Sequence, residues 1–572
     1  MKSFSNIFKN NLNTFGPRYN RIDFSNKLKN NGDKSQVGLM EYFETFEYIN
    51  GIENYNFDKN TKFSIITLKQ SNFDSGTVRI TKPGIYILKE NITFNPNEQN
   101  DFFPTYSQIQ SKQYPIGKDG PYHLGFFAAI TIEASNVILD LNGYTIKQSK
   151  LHNLQQRFYS HIELANSPFI PKQGPGSFVS SNTFKSAKNI LIRNGILGKS
   201  SHHGIHGNAN NNIIINNLEI TDFEVAGIAL NGTNLGILNN INIHDSSKNV
   251  PVLATYSAAR FIRSFIPLIK KNHKEPFINI QGVRKNYVDI VSDLNEALEI
   301  TKNSIMENNT TDDVLFKTRF NMSDGNVYGL LLHINGVAVN GFVRTRNENM
   351  IGNKDILLQD INIGNISSHP IEVIGVNTHN NEPSAYGKNM QVGPVGEVMR
   401  IEDIVAQDGT YKPNPLSNAH MLIAKYNTPK IGTTNICKEI VEFVEMDSNF
   451  KDTMVNNKLY YVNGGDSMAH VMKGNMGMFI SGGINIKGYG INVSNIYNKG
   501  THVGTSPLIE KDLIKMKSST CNGILFTGSS DIDLKCDISN IQSESGENYS
   551  FYLYNINSEN IKINGSNIVK DE

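Results

Sequence analysis

The sequence predicts an all-β chain wound as a solenoid of about 23-residue coils, with helical and loop insertions, on three observations. First, one pattern is written three times, as NILIRNGIL from Asn189, NIIINNLEI from Asn212 and LGILNNINI from Leu235, so the starts differ by 212 − 189 = 23 and 235 − 212 = 23. Second, the registers match. Ile192, Ile215 and Leu238 are apolar, as are Leu197, Ile220 and Ile243, while Asn194, Asn217 and Asn240 are all asparagine, and Gly204 and Gly227 repeat at the same interval. Third, 46 Gly, no Trp and abundant Asn and Ser among 572 residues suit turn-rich β structure better than helix.

The asparagine register has a physical reason. A sharp bend between strands leaves backbone groups without partners, and a stacked carboxamide can bond both to them and to the Asn one coil away. Asparagine also tolerates the left-handed backbone that such a bend needs. Coils then lie roughly 4.8 Å apart. Asn194, Asn217 and Asn240 are expected to form one inward-facing column.

Residues 1–75 carry no coil pattern, and VGLMEYFETFEYI reads as a short amphipathic helix from Val37 to Ile49. Residues 76–250 hold the N-terminal cap and first coils. Here ITKPGIYILKENITF, from Ile80 to Phe94, alternates around Pro-Gly and suits a capping strand pair, and AITIEASNVILDLNGYTI, from Ala129, bends at Asn142-Gly143. Residues 251–325 are a helical insertion, with YSAARFIRSFIPLIKK and NYVDIVSDLNEALEITKNSIMEN at helical spacing. Coils resume over 326–375, where GLLLHINGVAVNGF and DILLQDINI place Asp360 in the Asn217 register. Residues 376–475 are a second insertion, a Gly/Pro/Asn-rich loop and a helix at NICKEIVEFVEM. Residues 476–572 are C-terminal coils. Gly477 and Gly523 differ by 46, twice the period, which leaves room for one coil between them expanded around SPLIEKDLIKMK. Cys536 takes the bend register of Asn194.

ITKPGIYILKENITF, NVILDLNGYTI and the asparagine ladder resemble the opening coils of the pectin-lyase-like, right-handed parallel β-helix family. That resemblance implies a right-handed solenoid with a groove beside the first strand of each coil. It specifies fold better than activity, since the fold serves lyases, hydrolases, epimerases, phage tailspikes and proteins without catalysis. The Asn-Thr-Asp and Gly-His-Gly signatures of polygalacturonases are missing, as is a lyase signature around an Arg. Asp312-Asp313 falls in the insertion.

Registers convert directly into clusters. Asp222 and Asp245 are 23 apart, with Glu224 two residues beyond Asp222 and His244 just before Asp245. Carboxylates so placed can bind Ca²⁺, act as acid and base on a glycosidic bond, or line a solvated turn. Lys199 precedes Asp222 by 23 and is positioned to neutralise it. KSSHHGIHG puts His202, His203 and His206 at one turn, with His206 turned outward as a general base or the trio as ligands for a transition metal; a plain polar turn is the alternative. Tyr256, Arg260 and Arg263, on the inserted helix, are groups that a lyase uses on a uronic acid, or are ordinary surface side chains.

A formal charge of +1, from 54 basic and 53 acidic residues, argues against duplex nucleic acid as the main partner. Three cysteines cannot form a disulfide framework, which suits a reducing compartment. The N-terminal MKSFSNIFKNNLNTFGPRYN has no apolar run for a signal peptide or membrane span, so cytoplasmic synthesis is expected. Two functions fit. One is a structural or adhesive β-helix presenting an extended glycan- or protein-binding face. Its Lys/Asn/Ile-heavy vocabulary suits a virion-associated protein of a large DNA virus, oligomeric without a heptad coiled coil. The other is a polysaccharide-active lyase or glycoside hydrolase.

Overall fold

The computed structural model describes residues 36–38, 62–116, 120–124, 127–156, 159–168, 170, 182–246, 277–280, 283–286, 288, 292, 295, 327–333, 352–367, 474–498, 520–543, 548–554 and 558–568. Two large sheets are built almost wholly from parallel neighbours. One has 14 strands, among them Ser135–Asp140, Lys188–Leu197, Asn211–Thr221, Asn234–His244, Lys354–Ser367, Ile484–Asn498 and Ser530–Ser543. The other has nine, among them Tyr159–Glu163, His203–Asn208, Ala226–Asn231, Val327–His333, Gly474–Ser481 and Thr520–Thr527. The chain alternates between the sheets, and each strand pairs with its equivalent one coil on. Ile190 sits opposite Ile213, Ile213 opposite Gly236 and Gly236 opposite Ile356.

The long strands bend, so the larger sheet supplies two walls. Residues 211–216 belong to wall one and residues 218–221 to wall two, with Asn217 between them at φ 53°. The bend breaks simple alternation, for Ile215 and Leu218 are both fully buried although only two residues separate them. Wall three is the smaller sheet. Left-handed residues mark each remaining corner: Asp222, Asp245, Asn365, Asn495 and Asn540 between walls two and three, and Asn189, Asn212 and Leu235 on the return to wall one, all with φ from 52° to 64°. Inside, Ile190, Ile192, Ile213, Ile215, Leu238, Ile205 and Ile228 stack into one continuous apolar column. Between walls two and three, Gly204, Gly227, Gly329, Gly477 and Gly523 occupy one register. A Cβ on Gly204 would lie 2.5 Å from the carbonyl oxygen of Gly227. Coils approach there through backbone alone.

The asparagine column exists, and it faces outward rather than inward. Asn217 donates to Asn194 at 3.2 Å and Asn240 to Asn217 at 2.9 Å, while Asn194 donates to Asp140 at 3.2 Å. Asn194 is buried, Asn217 half-buried and Asn240 exposed. A left-handed residue at a convex corner has its side chain outside the bend, so the amides stack along the edge of the solenoid. A second ladder joins Asn212 to Asn189 at 2.7 Å and Asn189 to Asn136 at 3.0 Å.

Other expectations change in detail. The stretch Ile80–Phe94 is one complete coil rather than a strand pair: Val78–Ile80, Gly84–Leu88 and Ile92–Phe94 each pair in parallel with a different strand of the next coil. Pro83 has no N–H to donate, and the chain turns a corner there instead of reversing. Lys62–Leu68 extends the sheet beyond Gly84–Leu88, and Gln36–Gly38 joins it in antiparallel fashion as the edge strand, so the expected helix from Val37 begins as strand and its later residues lie outside those described. In the first insertion, Phe277–Ile280 and Val283–Asn286 form an antiparallel pair that helical periodicity did not indicate. Gly477 and Gly523 are direct neighbours across adjacent strands, so the 46-residue interval is one coil with an insertion. Cys536 pairs with Ile491, one place past the bend, where a register shift omits the corner residue; it remains buried, and burial raises its thiol to about 11. The helices expected at NICKEIVEFVEM and SPLIEKDLIKMK lie outside the described residues.

Because Asn217 both donates and accepts within its ladder, Asn217→Leu takes a partner from each of its two amide neighbours and puts a bulky side chain at a left-handed φ, at a cost of about 1–3 kcal/mol. Asn240→Leu, at the exposed end, is expected to cost less than half as much. Urea denaturation of both variants checks the order.

Candidate functional site

The corner between walls two and three carries the predicted carboxylates. Asp222 and Asp245 hold left-handed positions in consecutive coils, with the Asp222 N–H donating to the Asp245 carbonyl at 3.1 Å. Asp245 continues as a ladder rung, accepting from Asn365 at 2.9 Å, which in turn accepts from Asn495 at 3.1 Å. Lys199 reaches the Asp222 carboxylate at 3.3 Å. His244 lies between Asp245 at 2.9 Å and Glu219 at 3.1 Å. These bonds, the one to Glu219 foremost, raise the His244 pKa. Glu224 is buried, and its N–H donates to the Ser200 carbonyl at 3.1 Å. The corner thus mixes carboxylates with a lysine, an imidazole and amides. Among the described residues, no three His, Cys, Asp or Glu side chains gather as a set able to hold a metal ion.

The histidines are on wall three. His206 is buried, its Nδ1 lies 2.7 Å and 2.9 Å from the two Glu163 oxygens, and Asn231 Nδ2 lies 3.2 Å from its Nε2. An amide N–H donates, so Nε2 accepts and the proton of the neutral imidazole is on Nδ1, facing Glu163. His203 stacks on His206 with centroids 5.0 Å apart, and its Nδ1 is 3.1 Å from that of His202. Burial first, then the neighbouring imidazoles, lowers the His203 pKa well below the usual value. The structure therefore brings His202, His203 and His206 together. Tyr256, Arg260 and Arg263 lie outside the described residues.

Sequence periodicity gave no sign of the remaining members of this cluster. Arg79, Thr131, Glu163 and His206 stand in one register across four coils. Arg79 grips Glu133 with two bonds of 2.7 and 2.6 Å, and Thr131 donates to Glu133 at 2.9 Å. Burial raises the Glu163 carboxyl, an effect opposed by His206, and Tyr122 lies close enough to feel both glutamates. The loops in these coils set Glu163 and His206 43 residues apart, and Arg79 and Glu133 54 apart, so a 23-residue period cannot connect them. Beneath them, His161 is fully buried. Its Nε2 bonds the Gly198 carbonyl at 2.9 Å and its Nδ1 the Tyr159 hydroxyl at 2.8 Å.

No family model matches this chain, and no curated protein matches it. Among solved structures it is similar to PfbA, a surface adhesin of Streptococcus pneumoniae, at 9% identity over 86% of this chain and 68% of that one, with a TM-score of 0.25. A second structure of that surface protein and adhesin gives 8% identity, 87% and 91% coverage and a TM-score of 0.22. The Dettilon tailspike protein gives 7% identity, 85% and 61% coverage and a TM-score of 0.24. Similarity at this level carries no functional argument. The chain's own strand pairing, with the right-handed crossover that parallel strands adopt, defines its class: a right-handed parallel β-helix.

The buried imidazoles make stability depend on pH. Burial lowers His161 to about 4. A histidine with a depressed folded pKa contributes fully above its unfolded value of about 6.5, and the contribution is lost as pH falls from there through the folded value. His244, with a raised pKa, acts oppositely: its contribution is present below about 6.5 and lost as pH rises through its folded value. The melting temperature is expected to fall between pH 6.5 and about 4, and His161→Gln, which keeps a donor for Gly198, is expected to flatten that limb. Calorimetry across this range checks it.

Proposed function

We propose that this protein is a structural or adhesive β-helix, virion-associated, whose stacked coils present an extended face to a glycan or partner protein. One observation supports this reading above others: the candidate acid–base groups are engaged in the scaffold. Asp222 is bonded to Lys199, Asp245 is a ladder rung held by His244 and Asn365, and Glu224 is buried. A glycosidase needs one carboxyl group able to donate a proton and another free to attack or to activate water. A carboxylate held by a cation and an amide is a poor candidate for either role. The same pairing makes Ca²⁺ a weak competitor at this corner, because a cation would have to displace Lys199.

A second reading, a polysaccharide-active enzyme, draws on the Glu163–His206 pair, in which a carboxylate orients an imidazole as in many general bases. Incubating the full chain with uronic-acid polymers and neutral polysaccharides, and assaying unsaturated ends and reducing sugar, separates the two. The expected result is no turnover in the wild type or in Asp222→Asn/Asp245→Asn. The variant is expected to lose about 1 kcal/mol or less, since the Lys199 pair is partly exposed, with no melting response to Ca²⁺. Sugar release that disappears in the variant would overturn the adhesive reading, and release that disappears only in His206→Gln would move catalysis to wall three.

A further inference from the structure

The three walls differ in what their outer faces offer. On wall one, Ile85, Ile138, Leu191, Ile214 and Ile237 form an outward register that is nonetheless buried, at 5% exposure or less. On wall three, Ala229, Leu331, Phe479 and Leu525 follow His206 in register and are buried too. Neither set belongs to the interior apolar cluster. Wall two is different. Its outer positions Glu219, Thr221, Asn242, His244, Asn362, Asn492 and Ser494 are half-buried, and Asp537 and Ser539 are exposed.

Two rows of amides run along this open wall. Asn362 donates to Asn242 at 2.7 Å and Asn492 to Asn362 at 2.8 Å. At the adjoining corner, Asn365, Asn495 and Asn540 continue from Asp245, with Asn540 donating to Asn495 at 2.5 Å and to the Tyr497 hydroxyl at 2.9 Å. A carboxamide has two N–H groups and two acceptor sites on oxygen. A ladder consumes one of each, so an interior rung has hydrogen-bonding capacity left over, repeated roughly every 4.8 Å along the axis. Neighbouring rungs already fix the rotamers, so little side-chain entropy remains to be lost on binding.

We propose that the outer surface of wall two, from Glu219 to Ser539, is a binding site for a neutral polyhydroxylated glycan strand lying along the solenoid axis. This rests on the adhesive reading and specifies its ligand. Vicinal sugar hydroxyls both donate and accept, which matches the mixed capacity of an amide row, and half-buried Tyr497 supplies an aromatic ring beside it. Charge selects the neutral class. Between Glu219 and Ser539 the described outer positions of this wall hold no Lys or Arg, exposed Lys147 standing two coils before Thr221 and exposed Lys535 at the bend that precedes Asp537, whereas Glu219 and Asp537 lie towards the two ends of this span and His244 is shared between two carboxylates. Uronate or sialate chains lying on this span would meet a carboxylate towards each end and no Lys or Arg between them. An added protein strand is disfavoured as well, because wall two is the middle of a sheet whose backbone groups already pair from coil to coil.

The test immobilises the full chain and measures binding of cello-, laminari- and manno-oligosaccharides beside oligogalacturonate and hyaluronan fragments. Neutral oligosaccharides are expected to bind. Asn362→Ala/Asn492→Ala is expected to weaken them about tenfold or more. Ser494→Glu, which adds bulk and charge between the rows while leaving every ladder amide in place, is expected to do the same with the wild-type melting temperature retained. Undiminished binding by Ser494→Glu, or binding of acidic chains alone, overturns this site while the adhesive reading stands. Failure of every glycan to bind overturns it and confines the adhesive reading to a protein partner.

Discussion

The left-handed corner residue is the constraint on which the rest depends. A coil of three walls must bend its backbone at each corner, and most of these bends use a residue with φ near 55°, a conformation that Gly, Asn and Asp adopt at modest cost. Because the corners of successive coils are in register, these residues stack, and their side chains become hydrogen-bonding partners. Asn194, Asn217 and Asn240 hold one corner, Asn136, Asn189 and Asn212 another, and Asp245, Asn365, Asn495 and Asn540 the third. A single local requirement thus sets both the cross-section of the solenoid and the chemistry of its edges.

The same requirement explains why acidic residues recur where an enzyme's groove was expected. Aspartate tolerates the left-handed region almost as well as asparagine. Asp222, Asp245, Asp355, Asp360 and Asp531 all occupy it. Their positions follow from backbone geometry before any question of substrate. Where a carboxylate replaces an amide it can accept but not donate, and the neighbours adjust. Asn485 donates to Asp355 at 2.6 Å and Asn560 to Asp531 at 2.6 Å. At Asp360, a Cβ on Gly490 in the next coil would lie 2.3 Å from the carboxylate, so glycine leaves space for it.

What the sequence made legible was whatever repeats at constant spacing. Residues 189–245 contain no long loop, and there the period gave the strands, the inward apolar registers and the amide column. It gave the column without its direction, since periodicity says which residues align but not on which side of a bend they lie. Wherever a loop enters a coil, spacing ceases to report adjacency. Lys199 and Asp222 were connected by a common interval, but Glu163 and His206 were not, although both pairs bridge neighbouring coils. Asp140 beneath Asn194, and Glu133 beside Arg79, were hidden for the same reason. The 46-residue interval was misleading in the opposite sense, an insertion whose length happens to equal one period.

Burial then separates the walls. Wall three begins in a polar register of Arg79, Thr131, Glu163 and His206 and continues as Ala229, Leu331, Phe479 and Leu525, one strip that changes from polar to apolar between His206 and Ala229. Every member after Arg79 is buried, and the Glu163–His206 and Arg79–Glu133 pairs tie neighbouring coils together. Wall one repeats that logic with Ile138, Leu191 and Ile214. Wall two, held by amides that are only half satisfied by their ladder, is left as the surface on which an outside molecule finds both room and hydrogen-bonding capacity, and a ligand there would bind without disturbing any pair that holds the coils together.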